Sequence, residues 1–247
     1  MLTSTRRASI LRRVAASGEA SVLELAESLN VSASTIRRDL NSLDADGLLR
    51  RVRGGGSVEP DREPFQQVAT QATSAKERIA ERAAALVVDG DVVVLDIGTT
   101  AALVARRLAG RRITVITASV AVLDELRDDE GIELILLGGV LRRSYHSLVG
   151  SLTEDALSQL RGTICFLGTS GVLADGTVMD STGAEVPIKR AILTSSARTV
   201  LVADDSKFPG TGILSVCPAS RIDVVVTSGE HPTLDVFRTA GSTVILA

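Results

Sequence analysis

The sequence predicts an α/β protein in two parts: a small helical head closed by a β-hairpin, then a larger, mainly parallel α/β sheet domain. Three observations lead there. Amphipathic helical periods occupy most of the first 45 residues and give way to an Arg- and Gly-rich stretch from Arg50 to Gly56. From Val92 onward, short continuous apolar runs alternate with helical segments, as strands buried on both faces do. Between the two lie Pro60 and Pro64, with several Gln and Thr and little periodicity, which reads as a linker. The expected division is residues 1–58 as head, 59–73 as linker and 74–247 as sheet domain. At 247 residues and 45% hydrophobic, the chain can bury the core that two ordinary domains need.

The head reads as three helices. Residues 5–17 place Ile10, Leu11 and Val14 on one face, with Gly18 as the stop. Residues 21–29 follow, where Ser21 and Glu24 have capping-box spacing and Val22, Leu25, Ala26 and Leu29 form the stripe. In the third, Ser32 is the N-cap and Ile36, Leu40 and Leu43 share the inner face. Ser34, Arg38 and Asn41 then point outward, flanked by Thr35 and Arg37. Two helices joined by a short turn, the second with a basic front, make a helix-turn-helix. Such a front suits a major groove: Arg reads guanine bidentately, Asn reads adenine, and Ser or Thr holds base edges or phosphates. A solvated helix face with two arginines is the plainer alternative. Gly47 ends this helix, and Leu48 to Val58 reads as a hairpin with Gly54, Gly55 and Gly56 at or after its tip. Its Arg50, Arg51 and Arg53 suit a wing reaching backbone or minor groove; the Gly run also suits a hinge. The head is thus predicted to be a winged helix-turn-helix.

The sheet domain opens at Ser74, whose spacing to Glu77 is again that of a capping box, before a helix carrying Ile79, Ala83, Leu86 and Val87. Strands are expected at 92–96, 113–117, 132–137, 164–167, 199–203, 224–227 and 244–246. Helices are expected at 99–108, 120–126, 151–160 and 184–195, the last with Pro187 in its first turn.

Composition narrows the function. Residues 1–56 hold nine basic and six acidic side chains, a net +3, against −6 for the remainder. A basic head on an acidic body fits a DNA-binding module joined to a regulatory domain. No apolar run approaches the roughly 18 residues of a membrane span, and residues 1–13 lack a signal-peptide core, so a soluble, cytoplasmic protein without membrane contact is expected. Cys165 and Cys217 read as buried thiols. His146 and His231 are too few and too far apart for a zinc site, and no cofactor is expected.

Ligands of open parallel sheets bind beyond the carboxyl ends of the strands. The first strand ends Asp96-Ile97-Gly98-Thr99-Thr100. Gly98 permits close approach, and the N–H groups and hydroxyls of Thr99 and Thr100 form an anion site at a helix start; a Thr-capped turn is the alternative. Without a Lys-Ser/Thr ending or a GxGxxG run, a small phosphate is favoured over a nucleotide. Thr117 ends the second strand beside Ser119, and Gly138-Gly139 ends the third. Asp204-Asp205-Ser206-Lys207 offers carboxylate, hydroxyl and ammonium for a sugar phosphate, or is a solvated loop. Glu185 and Lys189, four apart, are the weakest candidates, since that spacing also makes surface ion pairs.

These residues together resemble the DeoR-type bacterial transcriptional regulators. The resemblance rests on Val31-Ser32, Thr35-Ile36-Arg37-Arg38-Asp39-Leu40, the Arg51–Gly55 wing, Asp96, Gly98-Thr99-Thr100, Gly138-Gly139, Gly150, Phe166-Leu167-Gly168, Asp204, Ser206 and Lys207, and covers almost the whole chain. It implies a winged helix-turn-helix with an effector domain similar to ribose-5-phosphate isomerase. It also implies repression of a sugar-metabolism operon, released when a phosphorylated sugar or related metabolite binds. The effector positions it implies are Gly98, Thr99 and Thr100 for phosphate, and Lys207, Asp204 and Glu185 around the sugar. The chain departs from the family pattern at Arg53, Ile97, Ala118 and Thr163.

The expected partners are double-stranded operator DNA, a phosphorylated effector and further copies of the chain, as dimer or tetramer, because one helix-turn-helix covers only a few base pairs. The competing reading is an aldose–ketose isomerase with an appended DNA module. Isomerisation needs a base beside a carbonyl, and the segment Phe166 to Gly171 carries no carboxylate. The regulator reading therefore leads, with no catalytic residue assigned.

Overall fold

The computed structural model describes residues 3–17, 19–45, 49–52, 54–57, 65–212 and 214–247. The chain forms two compact units, Met1–Glu63 and Pro64–Ala247.

The first unit runs α1 (Thr3–Ser17), β1 (Glu19–Ser21), α2 (Val22–Leu29), α3 (Ala33–Ala45), β2 (Arg50–Val52) and β3 (Gly55–Ser57). Its core is Ile10, Val14, Val22, Leu25, Leu29, Ile36, Leu40, Leu43 and Leu49; helical periodicity selects all of these but Leu49, and Ala26, also expected on the α2 stripe, packs half-buried against them. The capping box forms, with Glu24 N–H donating to Ser21 Oγ and Ser21 N–H to the Glu24 carboxylate. Asn30 closes α2 in the left-handed conformation (φ 51°), which Asn tolerates better than most residues. Gly18 and Gly47, expected as helix stops, lie outside the described residues. β1 was not expected. It pairs with β3, whose other edge pairs with β2. This pairing explains the glycines: a Cβ on Gly55 would stand 2.2 Å from the Ala20 carbonyl oxygen, so Gly55 lets β1 approach and is part of a sheet rather than a hinge.

The second unit continues with α4 (Phe65–Thr70), α5 (Thr73–Ala84), β4 (Val92–Leu95), α6 (Thr99–Leu108), β5 (Thr114–Thr117), α7 (Val120–Leu126) and β6 (Glu133–Leu136). A hairpin of β7 (Val140–Arg142) and β8 (Ser147–Val149) precedes α8 (Ser151–Gln159) and β9 (Ile164–Leu167). Then follow β10 (Gly171–Val172), β11 (Val178–Asp180), α9 (Val186–Ser195), β12 (Thr199–Val202), β13 (Leu214–Cys217), β14 (Val224–Thr227), α10 (Leu234–Thr239) and β15 (Thr243–Leu246). Seven strands form one sheet, ordered β15-β14-β12-β9-β4-β5-β6, every pair parallel. Side chains alternate between two cores: Val200 and Val202 face one with Ile79, Val104 and Phe166, while Leu201 and Ala203 face the other with Val186, Leu234 and Phe237. Burial on both faces is why these strands read as unbroken apolar runs. Each fully buried Val, Leu or Phe contributes roughly 1.5–3 kcal/mol by leaving water.

Two expectations fail at the start of this unit. Residues 65–70, read as linker, are helical. The helix after them begins at Thr73, and its N-cap is Ala72 (φ 48°) with no side-chain cap bond, so the Ser74–Glu77 capping box does not form. The cause is α4: the chain enters α5 through a left-handed residue straight from a preceding helix, leaving no extended cap residue. The β7–β8 hairpin, the antiparallel set β10-β11-β13 and α10 also went unread.

Candidate functional site

In the head, α3 presents the expected front. Ile36 and Leu40 are buried while Ser34, Arg37, Arg38 and Asn41 are exposed and Thr35 is half-exposed. Ser32 Oγ accepts from Thr35 N–H at 3.2 Å and lies 2.8 Å from Ser34 Oγ and 2.9 Å from Thr35 Oγ1, clustering three hydroxyls at the positive end of the helix. Behind this face, buried Asp39 takes both Arg6 Nε (2.5 Å) and Arg6 Nη2 (3.2 Å). The bond raises the Arg6 pKa and ties α1 to α3. Arg53 lies outside the described residues, and of Arg51 only the backbone, in β2, is described.

In the sheet, α6, β5, α7 and β6 build to one side of β4, while β9, β12, β14 and β15 build to the other. The strand order therefore switches between β4 and β9, and ligand crevices of open α/β sheets form beyond strand ends at such a point. Asp96 follows β4 and Gly168 follows β9. Gly168 N–H donates to Asp96 Oδ2 at 2.9 Å, so the two ends meet.

Around them stands a buried charge cluster. Lys189 of α9 donates to Asp96 Oδ2 and, at 3.0 Å, to the Gly168 carbonyl, and its Nζ is 3.5 Å from Asp180 Oδ2. Glu185, one turn earlier, pairs with Arg142 of β7 and lies 3.5 Å from Ser147 Oγ. Lys189 and Glu185 are 2% and 4% exposed, and each pairs with another segment, so the surface ion-pair alternative is overturned. Burial pushes the Glu185 carboxyl up to about 8, against the pull of Arg142. Burial likewise raises Asp96 despite Lys189. For Lys189, burial works downward, yet the carboxylates of Asp96, Asp180 and Glu185 outweigh it and raise its pKa. Asp96 Oδ1 is buried with no hydrogen-bond partner.

Gly98 is the N-cap of α6 with φ 130° and no side-chain cap bond, and Thr99 and Thr100 form the first turn beside Asp96. Other expected ligand residues make structural contacts of their own. Thr117 Oγ1 donates to the Leu95 carbonyl at 2.9 Å and accepts from Ser119 N–H at 3.0 Å, which holds β5 to the end of β4. A Cβ on Gly139 would meet Thr153 Oγ1 at 2.3 Å, and Thr153 donates to the Gly138 carbonyl, so this pair lets α8 approach. Asp204 is buried and accepts from Ser206 N–H at 3.1 Å, shaping the turn that carries Lys207, which is half-exposed. Sequence reasoning missed Asp180 and Arg142 and underrated Lys189. Segment 166–171 carries no carboxylate, yet the fold gathers Asp96, Asp180 and Glu185 around it.

Two family matches cover both units. Residues 6–60 match the DeoR-like helix-turn-helix domain, and residues 71–229 match the DeoR C terminal sensor domain. The chain belongs to the DeoR family. It is a DNA-binding transcriptional regulator whose second unit is the family's sensor domain. It is similar to the glycerol-3-phosphate regulon repressor of Escherichia coli (strain K12), 34% identical over 94% of this chain and 93% of the relative. The repressor of the same name from Haemophilus influenzae is 36% identical over 94% and 91%, and a putative aga operon transcriptional repressor of Escherichia coli O157:H7 is 31% identical over 99% and 94%. Among solved structures, a ribose 5-phosphate isomerase A from Methanocaldococcus jannaschii covers 56% of this chain and 55% of its own at 21% identity, with a TM-score of 0.42. No helix among the described residues is long and apolar enough to cross a membrane.

Proposed function

We propose that this regulator represses a carbohydrate-metabolism operon from the cytoplasm and leaves its operator when a small phosphorylated sugar or related metabolite binds at the β4–β9 switch point. The observation that carries this is the start of α6. Gly98 at φ 130° leaves the helix without a side-chain cap, and backbone N–H groups at an uncapped helix start are an anion site. Thr99 and Thr100 supply hydroxyls and Lys207 a cation, while the unpartnered Asp96 oxygen and Glu185 accept from sugar hydroxyls. The name of the Escherichia coli (strain K12) relative, a glycerol-3-phosphate regulon repressor, supports the same ligand class. On the DNA side, Ser34, Thr35, Arg37, Arg38, Asn41, Arg51 and Arg53 form the reading surface. Symmetric half-sites, and association through the sensor domain as a dimer or tetramer, follow from the small reach of one head.

The test is thermal unfolding of the full chain with glycerol 3-phosphate and a panel of hexose and pentose phosphates, each beside its unphosphorylated sugar. A true effector at 100 times its Kd raises stability by about 2.7 kcal/mol. A panel in which only unphosphorylated sugars raise the Tm refutes the phosphate site.

One observation favours a second reading, sugar-phosphate isomerisation: Glu185, held up to about 8, has the pKa of a general base near neutrality. It is closed on Arg142, however, and Asp96 on Lys189, which suits a sensing pocket better. Turnover of ribose 5-phosphate abolished by Glu185→Gln decides for the enzyme.

A further inference from the structure

The β7–β8 hairpin touches two places that a regulator must connect. At its base, Arg142 reaches the buried Glu185, and Ser147 lies 3.5 Å from the same carboxylate. The end of its turn and its second strand are bonded to the junction of β5 and α7, through Val120 N–H to the His146 carbonyl and Leu148 N–H to the Ala118 carbonyl, both 2.8 Å. At its tip, the Ser144 carbonyl accepts from Phe65 N–H at 2.9 Å. The Phe65 ring stacks on His146 (centroids 5.2 Å, 19°) and meets Tyr145 edge-on at 6.0 Å. The Arg142 guanidinium lies 5.7 Å from the Tyr145 ring centroid, so one side chain links base to tip.

Phe65 heads α4, the first element of the second unit among the described residues. Its docking is slight. None of its residues is fully buried, and an open cavity of about 340 Å³ lies between it and α6, α7 and His146. Beyond the hairpin contacts, buried Lys76 Nζ holds the Val68 carbonyl at 2.7 Å. Elements with few buried contacts open at low free-energy cost, and a ligand shifts such an element by preferring one of its states.

We propose that the β7–β8 hairpin is the lever between the buried charge cluster at the switch point and the linker helix: a ligand engaging Glu185 resets Arg142, and the hairpin tip then changes its hold on Phe65 and α4. This rests on the switch-point pocket being the effector site, but the lever can be tested without an effector. Amide hydrogen exchange of the full chain is measured for wild type, Arg142→Met and Phe65→Leu.

Loss of the Arg142 guanidinium, which pairs with Glu185, speeds exchange at the α4 amides of Ala69 and Thr70 by about tenfold, a local weakening of about 1.4 kcal/mol. Because coupling is reciprocal, Phe65→Leu speeds exchange at Leu148 and Val149 of β8. Wild-type α4 exchange in Arg142→Met overturns the lever, as does an unchanged β8 in Phe65→Leu. Should Arg142→Met not fold, the Phe65→Leu result decides. Glycerol 3-phosphate and the sugar-phosphate panel separate the two claims. A compound that raises the Tm without changing α4 exchange overturns the lever alone. No Tm response to any phosphorylated compound removes the effector assignment and leaves the lever to the two variants.

Discussion

The head and the sensor unit hold their functional charges in opposite ways. On α3, Arg37 and Arg38 are exposed and make no ion pair among the described residues. Around β4 and β9, Asp96, Asp180, Glu185, Lys189 and Arg142 are drawn together, and all but the half-buried Arg142 are buried. A surface that meets polyanionic DNA keeps its cations hydrated and available, and its affinity comes from counterions released on contact. A pocket that must tell small polar molecules apart needs its groups desolvated, where a missing partner is costly. On the reading proposed above, mutation should therefore act differently in the two units: the charges of α3 should affect DNA binding and leave stability alone, and those of the sensor should affect both effector response and stability.

The largest effect expected from that contrast is at Lys189. Lys189→Met leaves Asp96 and Asp180 buried without their cation, which costs about 3–5 kcal/mol. At about 2–4 °C per kcal/mol for a unit of this size, calorimetry should record a sensor Tm about 10 °C lower. A change under about 2 °C would mean that the cluster is not the buried network described.

pH probes the same cluster more gently. The Glu185 carboxyl keeps its proton up to about 8 in the folded chain, whereas an unfolded Glu releases it near its ordinary value of about 4.3. Between those limits the folded state holds more protons, so stability falls as pH rises; the upward shift of Asp96 has the same sign. Tm measured from pH 5 to 8.5 should decline, reflecting a stability loss on the order of a few kcal/mol in total. Glu185→Gln, uncharged throughout, should flatten the slope, and an equal slope in both proteins places the titration elsewhere.

Lys207 sits between the extremes, half-exposed on a turn. Lys207→Ala should leave the Tm alone and weaken effector response by the value of one charge-assisted bond, about 1.5–3 kcal/mol. The readout is operator release by fluorescence anisotropy against an effector from the panel, and a wild-type curve takes Lys207 out of the pocket.

The smallest effects belong to α3. With an operator selected from random DNA, Arg38→Ala should cost about 1–3 kcal/mol and relax one base position, while Arg37→Ala should weaken all sequences alike and reduce the salt slope by about one per protomer. Neither should move the Tm. A stability loss in either variant would erase the contrast between the two units, and identical behaviour of the two would put both arginines on phosphate.

The head was legible because its information is local. Helical period alone put Ile36 and Leu40 inward and Arg38 outward, and Ser21 with Glu24 announced the α2 cap. Its blind spot was β1, three residues paired with β3 more than 30 positions away. Only the close pass of β1, where a Cβ on Gly55 would stand 2.2 Å from the Ala20 carbonyl oxygen, accounts for a glycine that local reading placed at or after the hairpin tip, with a hinge as the alternative. In the sensor, strands such as Ile164–Leu167 and Val224–Thr227 were found because two covered faces make continuous apolar runs. The Ser74–Glu77 cap failed because the competing signal, α4 docked through Phe65, depends on Tyr145 and His146, some 80 residues away.

The sequence by itself determined the division into a basic helical head and an acidic parallel sheet, the inward and outward faces of α3, and the glycine-opened start of α6. These follow from periodicities and turn chemistry that act within a few residues. Only the tertiary structure decided where the strand order switches, and so which strand ends meet. It also decided that Lys189 answers Asp96, 93 positions before it, rather than its helical neighbour Glu185, and that Arg142 turns inward to that neighbour. The physical reason is desolvation. A charge closed off by the fold must find whatever opposite charge the fold brings near, and that choice belongs to topology, which spacing along the chain does not encode.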